Sequence, residues 1–122
     1  MIQAYTIGAT VTADTPVPFN SVTIQKGCTV TKPSTDTFDL NKCGIYEVSV
    51  DGTAAAETTL QLYKDGVAMP QAQSTGTTLG FTTLVQVIHN NSECACASPT
   101  KIQVMNTTAT SVDSNIVITK LV

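Results

Sequence analysis

The sequence is poor in charge, and this excludes several classes of function. Charged residues make up 12% of the 122 residues, about half of the roughly 25% found in an average soluble domain. The six basic residues are scattered singly, so the chain has no basic patch for a phosphate backbone or an anionic lipid surface. With a net charge of -3 as well, we expect neither a nucleic acid nor a membrane as partner.

Long apolar runs are also missing. No window approaches the roughly 20 apolar residues of a membrane-spanning helix. Residues 1–7 lack the basic segment and the continuous apolar run of an export signal. A chain that starts at Met1 and still has an outward-facing composition fits a virion component, made in a bacterial cytoplasm and released by lysis. A bacterial cell or spore surface is the alternative location.

Residues that could support catalysis are scarce. His89 is the only histidine, so a general base would have to be this imidazole or a carboxylate. Ser92 and Cys94 follow it closely, but no oxyanion motif such as G-x-S-x-G accompanies them. The sequence predicts a surface histidine, no enzyme and no cofactor. Four carboxylates lack the Asp-x-Asp-x-Asp-Gly spacing of a calcium loop and are interpreted as solvating turns: Asp36, Asp39, Asp51 and Glu57.

Alternating apolar and polar residues between turn signals occupy the whole chain, which predicts a nearly all-β protein. The predicted strands cover residues 11–15, 19–25, 28–31, 38–40, 45–50, 58–63, 67–69, 81–89, 102–105 and 115–122. Lys64-Asp65-Gly66 predicts a hairpin turn, and Pro70 places the second strand of this hairpin, residues 67–69, at a sheet edge. Residues 52–57, 71–78 and 107–114 are predicted as polar loops that would carry recognition. The length predicts one domain over residues 1–122, a sandwich or jelly roll of about eight to ten strands in two antiparallel sheets.

The order of five segments makes the architecture more specific: FDLNKCGIYEVSV, LQLYKDG, FTTLVQVI, KIQVMN and NIVITKLV. This order resembles the jelly roll shared by complement globular heads, tumour necrosis factor and collagen-associated heads of bacteria and phages. Gly44-Ile45-Tyr46-Glu47-Val48 matches the central strand of that family. The resemblance covers almost the entire chain, although there is no tryptophan and no collagen repeat. It implies a TNF-like homotrimer in which the sheet with residues 44–50, 81–89 and the C-terminal strand faces the threefold axis.

The two-residue period then assigns a direction to each side chain of these strands. One set points into the predicted core: Phe38, Leu40, Tyr46, Val48, Val50, Leu60, Leu62, Val85, Val87, Ile102 and Val104. Ile45, Glu47, Leu84 and Ile88 point the other way, and we predict them at the trimer interface because monomers rarely leave apolar patches exposed. The alternative is that scattered Ile and Leu side chains are simply exposed.

Four cysteines are predicted to converge at one pole. In a jelly roll the strand from Ile45 is antiparallel to the strand ending near His89, which places Cys43 near Cys94 and Cys96. Pairing of residues 29–31 with 38–40 would bring Cys28 there too. A disulfide from Cys43 to Cys94 or Cys96 is predicted. Free buried thiols and a zinc site are the alternatives, although C-x-C lacks the usual zinc spacing and we predict no metal.

Two functions remain open. The first is a non-enzymatic virion structural protein, a trimeric capsid decoration, head fibre or host-attachment protein of a bacteriophage, with itself, capsid or other virion proteins and a host surface glycan as partners. The second is a carbohydrate- or receptor-binding lectin-like module of a bacterial cell or spore surface. Because sugar sites stack an aromatic ring on the pyranose, Tyr5 and Tyr63 are the candidates. Residues 90–92 and 106–108 match glycosylation sequons, which matter only in a secretory pathway.

Overall fold

The computed structural model describes residues 1–88 and 99–122, and the secondary structure of this part is entirely β. Its strands are β1 (Ile2–Val11), β2 (Thr15–Pro16), β3 (Ser21–Gln25), β4 (Val30–Ser34), β5 (Thr37–Leu40), β6 (Gly44–Lys64), β7 (Val67–Val87), β8 (Thr100–Asn106) and β9 (Thr110–Lys120). Over these residues no helix is long and apolar enough to cross a membrane.

A long bent hairpin of β6 and β7 organises the fold. Its register runs from Gly44 opposite Val87 to Lys64 opposite Val67. The predicted turn is confirmed, since Asp65 and Gly66 both have positive φ values, 50° and 79°, as a type I′ turn requires. The register shifts between residues 53 and 58, and β6 changes neighbour there, from β9 over residues 46–54 to β8 over residues 60–64.

This change of neighbour divides the strands into two layers. The front layer has the order β3-β1-β9-β6-β7, using residues 44–54 of β6 and the C-terminal half of β7. The back layer has the order β4-β5-β8-β6-β7, using the other halves of the hairpin, and β2 extends it along β8. The predicted jelly-roll sandwich of two antiparallel sheets is confirmed, with the hairpin carrying the hydrogen-bonded path from one layer to the other.

The core fills the space between the layers. Every predicted core residue is buried, from Phe38 at 0% exposure to Val87 at 4%. Ile2 and Ile118, which pair across β1 and β9, and Phe19 are buried as well. The Phe19 and Phe38 rings meet edge to face, with centroids 5.6 Å apart. Full burial of such side chains stabilises the fold by about 1.5–3 kcal/mol each.

Several sequence-based boundaries were wrong. Residues 52–57 and 71–78 are strand, not loop, within β6 and β7, and residues 110–114 belong to β9. Polar residues are compatible with this hairpin because hydroxyls pair across it: Thr75 with Thr59 at 2.7 Å and, farther along, Ser49 with Thr82 at 3.1 Å. Residues 11–15 are not one strand, since β1 ends at Val11 and a turn with Asp14 at φ 56° follows.

A buried amide joins three parts of the chain. Asn106 is fully buried; its Oδ1 accepts the Thr58 hydroxyl at 2.6 Å, and its Nδ2 donates to the Thr108 carbonyl at 2.6 Å. The same Nδ2 lies 3.4 Å from the carbonyl oxygens of Val11 and Thr12. The sequon at residues 106–108 is therefore structural, because its amide nitrogen is enclosed. The sequon at residues 90–92 lies outside the described residues.

Candidate functional site

The candidate site is the outward surface of the front layer, which we call the front face. Its side chains alternate with the core residues of the same strands: Ile45, Glu47, Ser49, Asp51 and Thr53 on β6 point away from buried Tyr46, Val48 and Val50. The registers place Tyr5 of β1, Asn115 of β9 and Asp51 of β6 in one row across three neighbouring strands. The two ends of this face differ in chemistry.

One end of the front face is apolar, and we call it the apolar end, formed by Ile45, Leu84, Ile88 and Leu121. Leu84 is 56% exposed, Ile88 73% and Leu121 51%. The C-terminal residues are held beside β6, because the Leu121 amide donates to the Ile45 carbonyl at 2.7 Å. Glu47 pairs with Leu84 across β6 and β7 and is exposed. The structure thus places all four predicted interface residues on one continuous surface.

The other end of the front face contains a groove of about 330 Å³. Its walls include one aromatic ring, two carboxylates, an amide, a hydroxyl and an exposed aliphatic side chain: Tyr5, Asp51, Asp113, Asn115, Thr53 and Ile7. Since neighbouring strands lie about 4.8 Å apart, the row from β1 to β6 spans roughly 10 Å. The groove has the size of the smaller ligand pockets of proteins.

A β-bulge shapes one wall of the groove. The register between β1 and β9 shifts between Thr6 and Ala9, and Gly8 lies there with φ 66°. The Gly8 amide donates to Asp113 Oδ1, so the carboxylate fixes the bulge. The bulge leaves the Ile7 side chain 76% exposed at the rim. Bulges of this kind re-aim a side chain at functional surfaces.

The cysteines lie partly where the sequence predicts. The Asn41 side chain donates to the Cys28 carbonyl at 2.9 Å, which holds Cys28 at the pole where buried Cys43 precedes β6 and Ile88 follows β7. Cys28 is exposed and forms no disulfide. Cys94 and Cys96 lie outside the described residues, so the disulfide stays a prediction. Within residues 1–88 and 99–122, no group of three or more His, Cys, Asp or Glu is placed to hold a metal ion.

The remaining candidate side chains do not lie together in one site. Tyr5 lines the groove, whereas Tyr63 lies in the back layer between Ala68 and Gln103. His89 and Ser92 lie outside the described residues. Of the carboxylates interpreted as turn residues, Asp36 accepts the Ser34 and Thr37 hydroxyls at 3.1 and 2.9 Å. The interpretation was wrong for Asp39, Asp51 and Glu57, which lie within β5 and β6. Asp39 pairs with Lys101 of β8 at 3.0 Å.

Comparison with known proteins identifies the fold. No protein-family model matches the sequence, and no curated protein does. The globular domain of the zebrafish complement 1qA protein is similar in structure with a TM-score of 0.77 at 9% sequence identity, over 99% of this chain and 96% of that chain. Rabbit GITRL is similar with a TM-score of 0.61 at 15% identity, over 100% and 95% of the two chains. The fold is the jelly roll of complement globular heads and TNF-family ligands.

Pika GITRL is a further similar structure, with a TM-score of 0.51 at 14% identity over 95% of this chain and 93% of that chain. At these identities the likeness establishes architecture, and the chemistry of the site has to come from its own residues. Sequence reasoning found Tyr5 but missed Asp113 and Asn115 as partners, because they are brought to Tyr5 by strand pairing across almost the whole chain.

Proposed function

We propose that this protein is a non-enzymatic, homotrimeric jelly-roll module on the surface of a bacteriophage virion, acting as capsid decoration, head fibre or host-attachment protein. The observation that carries the trimer is the apolar end, where Leu84, Ile88 and Leu121 are all more than half exposed. Monomeric proteins rarely leave such contiguous apolar patches in water.

A second copy of the chain is the partner that this surface fits. The apolar end belongs to the layer that the family resemblance places around a threefold axis, and burial of apolar area is the main favourable contribution to stable association. Glu47 borders the patch and is exposed, so its carboxylate fits the hydrated rim that surrounds an apolar interface centre. The non-catalytic part of the proposal is supported by the sequence, which has one histidine and no nucleophile motif.

Composition supports the virion role. A sheet-rich domain with 12% charged residues presents a weakly charged, threonine-rich surface that suits repeated contacts with identical capsid neighbours. The partners of the proposal are therefore further copies of this chain and capsid or other virion proteins. A lectin-like module of a bacterial cell or spore surface is the alternative, and the groove is the feature that favours glycan contact in either location.

The oligomeric state tests the trimer directly. Light scattering coupled to gel filtration should give a mass of three chains for the native protein and of one chain for the double variant Leu84→Glu/Ile88→Glu. Val67→Glu is the matched control, because Val67 is 68% exposed at the hairpin tip of the back layer and should leave the trimer intact. A native mass of one chain would remove the trimer.

The virion role needs a separate measurement. Particles purified from a lysate of the host should contain the chain in a fixed ratio to the major capsid protein, detectable by mass spectrometry and by antibody labelling of the capsid surface. Its recovery only with the bacterial envelope or spore coat would instead support the alternative.

A further inference from the structure

We propose that the groove formed by Tyr5, Asp51, Thr53, Asp113 and Asn115 binds a neutral saccharide, one or two sugar rings long. This inference rests on the proposed function and extends it by naming the kind of host-surface ligand. The groove itself is formed by one chain. It uses the end of the front face opposite the proposed trimer contact.

The hydrogen-bonding groups of the groove match sugar hydroxyls. Asp113 uses Oδ1 for the Gly8 amide, which leaves Oδ2 as an acceptor. Asn115 Oδ1 accepts from Gln3 Nε2 at 3.4 Å, so the Asn115 Nδ2 is left to donate. A hydroxyl both donates and accepts, and it can therefore satisfy the carboxylates and the amide nitrogen together.

The Tyr5 ring provides the apolar part of the same site. It is partly exposed and stands in register with Asn115, which is in turn in register with Asp51. The row ends at Gly80, the partner of Asp51 on β7, where the missing side chain leaves space beside the carboxylate. An aromatic ring at one end of a row of polar groups fits a pyranose, whose apolar face stacks while its hydroxyls point to the sides.

The charges of the groove argue against its burial between copies of the chain. Asp51 and Asp113 are both exposed, and none of the described residues that line the groove is positively charged. Enclosing these carboxylates in an interface would remove their hydration without supplying a cation, which is costly. The groove end of the front face therefore stays in water while the apolar end associates.

The same groups favour a sugar over a basic peptide. A lysine ammonium has three donors and no acceptor, so it would leave the Asn115 Nδ2 facing another donor. An anionic glycan would be repelled by the two carboxylates. Among the simple ligand classes, a neutral saccharide is the one that uses the ring, the amide and the carboxylates at once.

Titration of the full chain, followed by amide NMR, tests the site. The probes are glucose, galactose, N-acetylglucosamine, lactose and maltose, with sialyllactose, an oligolysine peptide and calcium chloride as comparison ligands. At least one neutral sugar should shift the amides of Gly8, Gly52 and Gly80, which border the groove. Asp51→Asn and Tyr5→Ala should each weaken this binding about tenfold or more, as expected for the loss of one charge-assisted hydrogen bond or of the stacking surface.

Two control variants outside the groove distinguish a loss of the sugar site from a general effect of substitution. Asp14→Asn, at an exposed turn, and Tyr63→Ala, in the back layer, should bind the sugar as the native protein does. The proposal is overturned if no neutral sugar shifts the groove amides, if oligolysine or calcium alone does so, or if Tyr63→Ala abolishes binding. It is also overturned if Asp51→Asn or Tyr5→Ala lowers the oligomeric mass, which would place the groove inside the interface. Loss of the trimer in Leu84→Glu/Ile88→Glu with sugar binding intact would support the site independently of the oligomer.

Discussion

The hydroxyl of Tyr46 donates a hydrogen bond to the Lys42 carbonyl oxygen at 2.6 Å and accepts the Lys42 amide at 3.3 Å. Tyr46 is a fully buried core residue of β6, and Lys42 lies in the turn that precedes this strand. One side chain therefore belongs to the buried core and also fixes the turn that precedes β6. Cys43 lies within this turn, so its position depends on the same contact.

Replacing this hydroxyl should loosen the turn without disturbing the core. Tyr46→Phe keeps the ring but removes both contacts with Lys42, and we expect the free energy of unfolding to fall by about 1–2 kcal/mol. Urea denaturation measures the change. Tyr63→Phe is the control, since in the described part of the chain no hydrogen bond of the Tyr63 hydroxyl occurs, and it should stay within about 0.5 kcal/mol of the native protein. Equal losses in the two variants would contradict the structural role of the Tyr46 hydroxyl.

Gly44 marks the point where the C-terminus crosses the start of β6. Its φ is 145°, and a Cβ built on it would overlap the Val122 carbonyl oxygen and lie 2.7 Å from Lys120 Cε. Gly44→Ala should therefore lower the free energy of unfolding by about 2–3 kcal/mol and separate residues 121–122 from β6. Because Leu121 belongs to the apolar end, the mass of the proposed trimer should also become concentration-dependent.

Gly80→Ala provides the comparison for this glycine. A Cβ at Gly80 would be 3.8 Å from the nearest atom, the Val50 carbonyl oxygen, so the change should cost about 0.5 kcal/mol or less. Thermal and urea unfolding of the two variants side by side checks the difference. A Gly44→Ala protein as stable as Gly80→Ala would show that the chain end moves away without cost.

Asn106 should be among the polar residues most sensitive to substitution. Asn106→Ala removes the acceptor of the buried Thr58 hydroxyl and the donor to the Thr108 carbonyl, and we expect a loss of about 2–4 kcal/mol in the free energy of unfolding. Asn20→Ala removes an exposed amide with one contact of 3.3 Å, to the Thr6 hydroxyl, and should cost about 0.5 kcal/mol or less. If the two substitutions lower the free energy of unfolding equally in urea denaturation, the hydrogen bonds of the Asn106 amide do not stabilise the fold as proposed.

The sequence predicts the parts of this fold that depend on neighbouring residues. The alternation of Tyr46, Val48 and Val50 identifies a strand and its inner face because the side-chain period of two is local. Asp65-Gly66 predicts its turn for the same reason, since the residues that adopt positive φ are themselves the signal. These features need no knowledge of the distant chain.

The parts of the fold that the sequence does not predict depend on the register between strands that are far apart in the chain. Ile2 is a core residue because it pairs with Ile118, and no local pattern at the N-terminus specifies that partner. The groove has the same origin, because Tyr5 and Asn115 are neighbours only through β1 and β9. The polarity of residues 71–78 predicts a loop, but pairing with β6 makes them strand. The polarity of residues 71–78 indicates that most of their side chains are exposed, but it does not determine their backbone conformation.

Lys32 gives the protein a predictable dependence on alkaline pH. Burial lowers the pKa of its ammonium below the ordinary 10.5, and the nearby Asp36 carboxylate opposes this shift. The ammonium lies 5.8 Å from the centre of the Phe38 ring and donates to the Ser34 carbonyl at 2.9 Å. Between the native pKa and 10.5 the unfolded chain holds more protons than the folded one, so the contribution of Lys32 to stability rises with pH through that window.

Lys32→Met should remove this contribution while it keeps the aliphatic stem over Phe38. The variant should be more stable than the native protein at neutral pH, and the difference should shrink as the pH rises from the native pKa of Lys32 to 10.5. Urea denaturation at intervals between neutral pH and 10.5 measures the difference at each point. A constant difference between Lys32→Met and the native protein across the range would mean that the Lys32 pKa is the same in the folded and unfolded chains.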